Sequence, residues 1–192
     1  MTAITRLEVP KPAGGSAWID LLAGDITTVR ADAIVNAANS ALAGGGGVDG
    51  AIHRAAGPEL MAELRSRYRG CPTGSAVITG SGRLEDHGVK WVIHAVGPIW
   101  RGGGLGEPEL LAAAYARSIH LADQAGARSV ALPAISAGVY GYPLDSAAGV
   151  ALGTVREGLA AAHKLELATF VLFGDEAMRA FRRALEELAG RT

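Results

Sequence analysis

The chain has 192 residues, a formal charge of −1, 49% apolar and 19% charged side chains, and one cysteine. That length suits one domain with a substantial core, and the composition excludes a disordered chain. The near-neutral balance offers no electrostatic footprint for sequence-independent nucleic-acid binding, and a lone Cys71 excludes an intramolecular disulfide or a multi-cysteine metal site.

Residues 1–16, with Pro10, Pro12, Gly14 and Gly15, read as a flexible lead-in, and 17–190 as one domain. Arg6 and Lys11 flank no apolar stretch, so a secretory signal is not expected. No apolar run reaches the length of a membrane span, and the expected location is cytoplasmic. From Trp18 onward, apolar runs at 18–23, 33–35, 76–79, 91–96, 130–133 and 169–173 are continuous rather than alternating, as in strands covered on both faces. Arg65, Arg67 and Arg69 read as a solvated helix end. Between the later runs lie amphipathic segments. Leu111, Tyr115, Ile119 and Ala122 precede a stop at Gly126. Leu144, Ala148, Ala151, Val155 and Leu159 follow Pro143. Met178, Phe181, Leu185 and Leu188 form the last helix, with Asp175 a candidate N-cap and Gly190 a terminator. Such alternation predicts an α/β fold, a three-layer α/β/α sandwich with a mixed, largely parallel central sheet.

The most informative stretch runs from Asn36 to His53. A buried strand ends at Asn36, four glycines (44–47) follow, and then a segment of helical spacing begins. Glycines between a strand end and a helix start let backbone N–H groups approach a ligand unhindered, and the helix N-terminus favours an anion such as a diphosphate. Asp49 and His53, four apart, share one helix face beside that anion. A carboxylate there repels phosphate, so it needs a compensating role, such as polarising a water or binding a ribose hydroxyl. Taken alone, Asp49 reads equally as a helix cap and His53 as a packed surface histidine. The stretch is neither the spaced dinucleotide fingerprint nor a P-loop.

Residues 130–143 repeat the scheme of strand, small-residue loop and helix start. Two such loops at strand carboxyl ends can clasp a diphosphate from both sides. Asp25, after the first strand, can accept from an adenine amino group, although a plain Asp/Thr turn explains it alone. Phe173 can stack on a ring, although a lone strand Phe is more often core. His94, within a strand, reads as a hydrogen-bonded structural histidine.

Together, Gly24-Asp25-Ile26-Thr27, Ala33-Ile34-Val35-Asn36-Ala37-Ala38-Asn39, the glycine run with Val48-Asp49-Gly50-Ala51-Ile52-His53, the block 92–98 and the loop 135–143 resemble the signature blocks of the macrodomain family. Within it they are most similar to the MacroD-like ADP-ribosyl hydrolases. The resemblance implies an ADP-ribose cleft above the strand ends. Asp25 would contact the adenine amino group and the Ile26 backbone the ring. The backbones of Gly46, Gly47 and Val48 would line one side of the diphosphate and distal ribose, and Ser136, Ala137, Gly138, Val139 and Tyr140 the other. Phe173 would pack on the adenosine, and Asn36 counts among the substrate-binding residues. Catalytic roles fall to Asn39, holding the distal ribose, to Asp49, beside its anomeric carbon, and to His53, tuning Asp49 or its water.

The implied reaction is attack by water on the distal ribose or its ester, releasing mono-ADP-ribose from acidic side chains or acetate from O-acetyl-ADP-ribose. No metal and no redox cofactor is implied. The expected partners are ADP-ribose and mono-ADP-ribosylated proteins, not a membrane and not nucleic acid as the main partner, and a monomer is expected. The alternative is a non-catalytic ADP-ribose reader. A dinucleotide-dependent dehydrogenase is disfavoured, because the first loop lacks the spaced glycines and ribose acid. Ala137 stands where many relatives have Thr. The glycine-rich segment 100–106 reads as a mobile surface loop, and Cys71 as inert.

Overall fold

The structure, a computed structural model, describes residues 5–190. The strands are β1 (Arg6–Pro10), β2 (Ser16–Ala23), β3 (Ala33–Ala37), β4 (Ser75–Gly80), β5 (Trp91–Val96), β6 (Ser129–Leu132) and β7 (Leu167–Leu172). They form one sheet in the order β1-β2-β7-β6-β3-β5-β4. Its interior pairs are all parallel, and only the edges, β1 on β2 and β4 on β5, are antiparallel. The helices are α1 (Gly47–Ala56), α2 (Pro58–Arg67), α3 (Glu107–Gln124), α4 (Leu144–Ala161) and α5 (Asp175–Ala189).

Because successive strand side chains point to opposite faces, continuous apolar runs supply two cores at once. Ala33, Val35, Ile93, Val130, Leu132 and Phe170 face the layer of α3, α4 and α5. Ile34, Val92, Ala131 and Val171 face α1 and α2 through Ile52, Ala56 and Leu60. This is the expected three-layer α/β/α sandwich. Phe170, fully buried, packs on Phe181 of α5 at 5.0 Å and Tyr115 of α3 at 6.0 Å between ring centroids; burying such a ring contributes about 1.5–3 kcal/mol. Tyr115 also reaches the strand ends. Its hydroxyl donates to the Pro133 carbonyl at 2.9 Å and accepts from the Ile135 N–H at 2.8 Å, which fixes where the chain leaves β6.

Three features differ from the sequence reading. The segment 1–16, expected to be a flexible lead-in, contains β1, whose Val9 is buried while Arg6 makes a two-pronged ion pair with Asp20 of β2 at 2.6 and 2.7 Å; residues 1–4 lie outside the described residues. Gly174, not Asp175, is the N-cap of α5, and Asp175 stands in the first turn, where its carboxylate favours the positive end of the helix dipole. The strand after α4 ends at Leu172, leaving Phe173 outside the ladder.

Candidate functional site

The chain leaves β3 for α1 on one face of the sheet and leaves the neighbouring β6 for α4 on the other face. Connections that part in this way open a crevice at the strand carboxyl ends. Both small-residue loops line it.

On the β3 side, the side chain of Asn39 shapes the glycine loop. Its Nδ2 donates to the Gly44 carbonyl at 2.8 Å, and its Oδ1 accepts from the Ala43 N–H at 3.2 Å. Gly47, at φ +57°, takes the left-handed turn into α1. Among the described residues, the N–H groups of Gly45, Gly46, Gly47 and Val48 donate to no protein acceptor. Unsatisfied donors at a helix N-terminus are an anion site.

Asp49, 4% exposed, sits in the first turn of α1. Its Oδ1 accepts from Asn36 Nδ2 at 2.6 Å and lies 3.3 Å from His53 Nε2. Its Oδ2 lies toward Gly45, where a Cβ would approach it to 3.1 Å. One carboxylate oxygen is thus tied to the fold and the other is turned to the glycine loop. The i, i+4 spacing does place Asp49 and His53 together. Asn36, by contrast, was expected among the substrate-contacting residues and is fully buried. Its place near the end of β3 sets its amide against Asp49.

Asn36 is register partner to His94 on β5, and its Nδ2 lies 3.2 Å from His94 Nδ1. His94 Nε2 lies 2.9 Å from Thr79 Oγ1 on β4. Burial strips water from the imidazolium and pulls the His94 pKa down to about 3, with His53 adding to the effect and Asp49 opposing it. His94 is therefore neutral at ordinary pH. Asn36 Oδ1 has no hydrogen-bond partner among the described residues.

On the β6 side, Ser136 takes φ +65°, and the loop is tied by Tyr142 N–H to the Ser136 carbonyl at 3.0 Å and Gly141 N–H to the Gly138 carbonyl at 2.9 Å. The N–H groups of Ser136, Gly138, Val139 and Tyr140 find no protein acceptor among the described residues, and Val139 is 97% exposed. Gly97, just past β5, is essential to this turn, since a Cβ there would overlap Ser136 Oγ and Ile135 Cγ2.

At the far end of the crevice, Gly24 N–H donates to the Leu172 carbonyl at 3.1 Å, which joins the ends of β2 and β7. Asp25 and Phe173 therefore emerge side by side. Asp25 Oδ1 accepts from the Thr27 N–H at 2.9 Å and the Thr27 hydroxyl at 2.8 Å, while Ile26 is buried and Phe173 is 89% exposed.

The segment 100–106, expected to be a mobile surface loop, is largely exposed and three of its N–H groups converge on one carboxylate. Buried Glu107 accepts the N–H groups of Arg101 at 2.9 Å, Gly103 at 3.1 Å and Leu105 at 2.6 Å. Burial works against its ionisation, but these bonds hold its carboxyl below the usual range. The Trp100 ring packs tilted against Tyr142 at 4.5 Å between centroids, and its backbone N–H donates to the Tyr140 carbonyl at 2.9 Å, coupling this segment to the second loop. Sequence reasoning missed Glu107, Gly97 and the reach of His94. A polar residue at the same register of two adjacent buried strands was the available signal for His94. Among the described residues, no group of three or more His, Cys, Asp or Glu is placed to hold a metal ion.

Fold and site define an α/β domain in which two loops with unpaired backbone N–H groups and one buried carboxylate gather at the strand carboxyl ends. The family profile described as the Macro domain matches residues 35–151. The chain is 53% identical over 170 residues to a macro domain-containing protein of Cupriavidus necator, covering 87% of this chain and 96% of that one. It is 52% identical over 172 residues to the O-acetyl-ADP-ribose deacetylase of Citrobacter rodentium, covering 88% and 96%. A solved glycine-to-valine variant of the Oceanobacillus iheyensis macrodomain with ADP-ribose superposes with a TM-score of 0.85 at 36% identity, covering 96% and 99%. The chain belongs to the macrodomain family.

Proposed function

We propose that this chain binds ADP-ribose in the crevice between β3 and β6 and hydrolyses esters of its distal ribose. O-acetyl-ADP-ribose yields ADP-ribose and acetate, and mono-ADP-ribosylated Asp and Glu side chains are released in the same way. The observation that carries this reading is Asp49, with Oδ1 held by Asn36 and Oδ2 turned to the glycine loop. A pure binder of a diphosphate gains nothing from a buried carboxylate beside the anion. A hydrolase does.

The free N–H groups of 45–48 and of the second loop grip the diphosphate from both sides. Asp25 and Phe173 take the adenosine at the other end. Asn39 shapes the glycine loop and stands beside the distal ribose. Asp49 Oδ2 then orients a water and draws its proton as the water oxygen bonds to the ester carbonyl carbon. When the tetrahedral adduct collapses, the bond from that carbon to the ribose oxygen breaks, and the ribose oxygen takes up the proton. His53, 3.3 Å from Oδ1, tunes the carboxylate. The Citrobacter relative named O-acetyl-ADP-ribose deacetylase supports the acetyl-ester reaction.

Mass spectrometry of products from a panel of differently linked ADP-ribose conjugates tests the proposal. Ester-linked substrates should release ADP-ribose, and Asp49→Ala should lose at least roughly 10²-fold in kcat, as expected for a positioned acid–base group, while still binding ADP-ribose. Tight binding without product from any conjugate would leave a reader module instead.

A further inference from the structure

The buried polar groups behind Asp49 reach further into the sheet than the reaction as proposed uses. Asn36, Thr79 and His94 are each fully buried, and they lie on three adjacent strands. Such groups stay in a core only where their hydrogen bonds specify something.

The Asn36 amide has two hydrogens and two neighbours within reach of Nδ2: Asp49 Oδ1 at 2.6 Å and His94 Nδ1 at 3.2 Å. Both hydrogens are engaged only if His94 Nδ1 is a bare acceptor. His94 must then carry its proton on Nε2, 2.9 Å from Thr79 Oγ1. Thr79 accepts that proton's bond and donates its own hydroxyl hydrogen to the Gly80 carbonyl at 2.9 Å. The Val92 carbonyl, 3.5 Å from Thr79 Oγ1, is a second acceptor for that hydroxyl, so the tautomer is set at the Asn36–His94 joint. The opposite tautomer would set an N–H against the amide N–H. The amide would have to turn over, and its carbonyl would then face the Asp49 carboxylate at contact distance.

We infer that His94 and Thr79 are positioning residues for Asp49: the Nε2–H tautomer of His94, held by Thr79, orients the Asn36 amide so that it ties down Oδ1 and leaves Oδ2 facing the glycine loop. The low basicity of buried His94 fits this role, because an imidazolium would present a second hydrogen to the amide. The inference deepens the hydrolase reading and rests on it for its kinetic consequence, but the tautomer is a property of the fold alone.

Nitrogen NMR of uniformly labelled, full-length protein reports the tautomer directly. The wild-type chain should show His94 in the Nε2–H form, and no variant is needed for that result. Thr79→Val, which keeps the shape and removes the acceptor, should shift His94 toward a tautomer mixture. It should also lower kcat on O-acetyl-ADP-ribose by roughly tenfold, a fraction of the 10²–10⁴ supplied by a positioned acid–base group. Affinity for ADP-ribose, measured by calorimetry, should stay within about twofold, because Asn36 and His94 do not line the diphosphate grip. Thr79→Ser should restore both tautomer and kcat. A wild-type His94 protonated on Nδ1, or a folded Thr79→Val chain that turns over at the wild-type rate, would overturn the inference while leaving the hydrolase reading intact. A wild-type chain inert on ester-linked ADP-ribose but with His94 in the Nε2–H form would overturn the hydrolase reading and support the hydrogen-bond order.

Discussion

Gly45 and Asp49 face each other so closely that a methyl group on the glycine would stand 3.1 Å from Asp49 Oδ2 and 3.8 Å from Asn39 Nδ2. The φ of Gly45 is not positive, so alanine fits the backbone. Gly45→Ala should therefore fold, at a cost of no more than about 1–3 kcal/mol as the Asp49 side chain gives by a few tenths of an ångström. Its methyl lies where a water on Oδ2 would sit, and kcat on O-acetyl-ADP-ribose should fall roughly 10²-fold, the effect of misplacing a reactant by about 1 Å. Steady-state kinetics beside a thermal melt check both halves, and unchanged kcat would remove Oδ2 from the reaction.

Gly97 behaves differently. Its missing side chain makes room for Ser136, whose left-handed φ of +65° turns the second loop. Gly97→Ala should cost about 1–3 kcal/mol of stability through overpacking. Because the displaced atoms carry the second loop, ADP-ribose affinity should fall with it. Denaturant unfolding and calorimetry on the same sample measure the two effects, and a destabilised chain with unchanged affinity would mean that this loop does not touch the ligand.

Stability should decline on acidification before the carboxylates titrate. Unfolded, His94 takes up its proton near pH 6.5, and folded it does so only at about 3. Between those values the unfolded chain binds more protons, so falling pH favours unfolding by up to about 1.4 kcal/mol per pH unit from this residue. Lowered carboxylates add a separate loss at lower pH. In Asp32, burial resists ionisation, but Lys90 and the N–H groups of Arg128 and Ser129 outweigh it. Its stabilising contribution is present above its unfolded value and is lost as pH falls through the lower folded one. Urea unfolding between about pH 6.5 and 5 isolates the histidine effect; His94→Gln should flatten the slope, and an unchanged slope would contradict a neutral buried imidazole.

Cys71 is 3% exposed, and burial pushes its thiol pKa up. The thiolate is the reactive form, so iodoacetamide at neutral pH should label the folded chain at least about 10²-fold more slowly than the unfolded one, since labelling waits for local opening. Mass spectrometry of timed samples reads this, and rapid native labelling would show the thiol to be accessible.

Much of the architecture was legible in the sequence because a sheet covered on both faces demands unbroken apolar runs, and residues 33–35 of β3, 91–93 of β5 and 170–172 of β7 are such runs, whereas β2 alternates around Asp20. The glycine loop and the Asp49–His53 spacing were legible for a similarly local reason. What escaped depends on residues distant in sequence. β1 presents only Leu7 and Val9 inward from a short polar segment, and its strand character comes from pairing with β2. The bond from Asn36 to Asp49 is not visible in the motif that carries Asn36, because it depends on where β3 sets that amide. Glu107 reads as an ordinary first-turn acid of α3 until the chain folds back and brings three N–H groups onto it.

The antiparallel hairpin of β1 and β2 gives the N-terminal residues a protective duty. β2 leads directly to Asp25, and β1 covers its outer hydrogen-bonding edge, while Lys11 reaches the carbonyls of Ala162 and Leu165 at 3.1 and 2.8 Å. Trimming the chain back to Gly15 would bare a row of unpaired amides and carbonyls, the template on which sheets from separate molecules zip together. Self-association, rather than a simple loss of length, is the consequence to expect from such a cut, with the Asp25 end of the crevice the first part of the site to suffer.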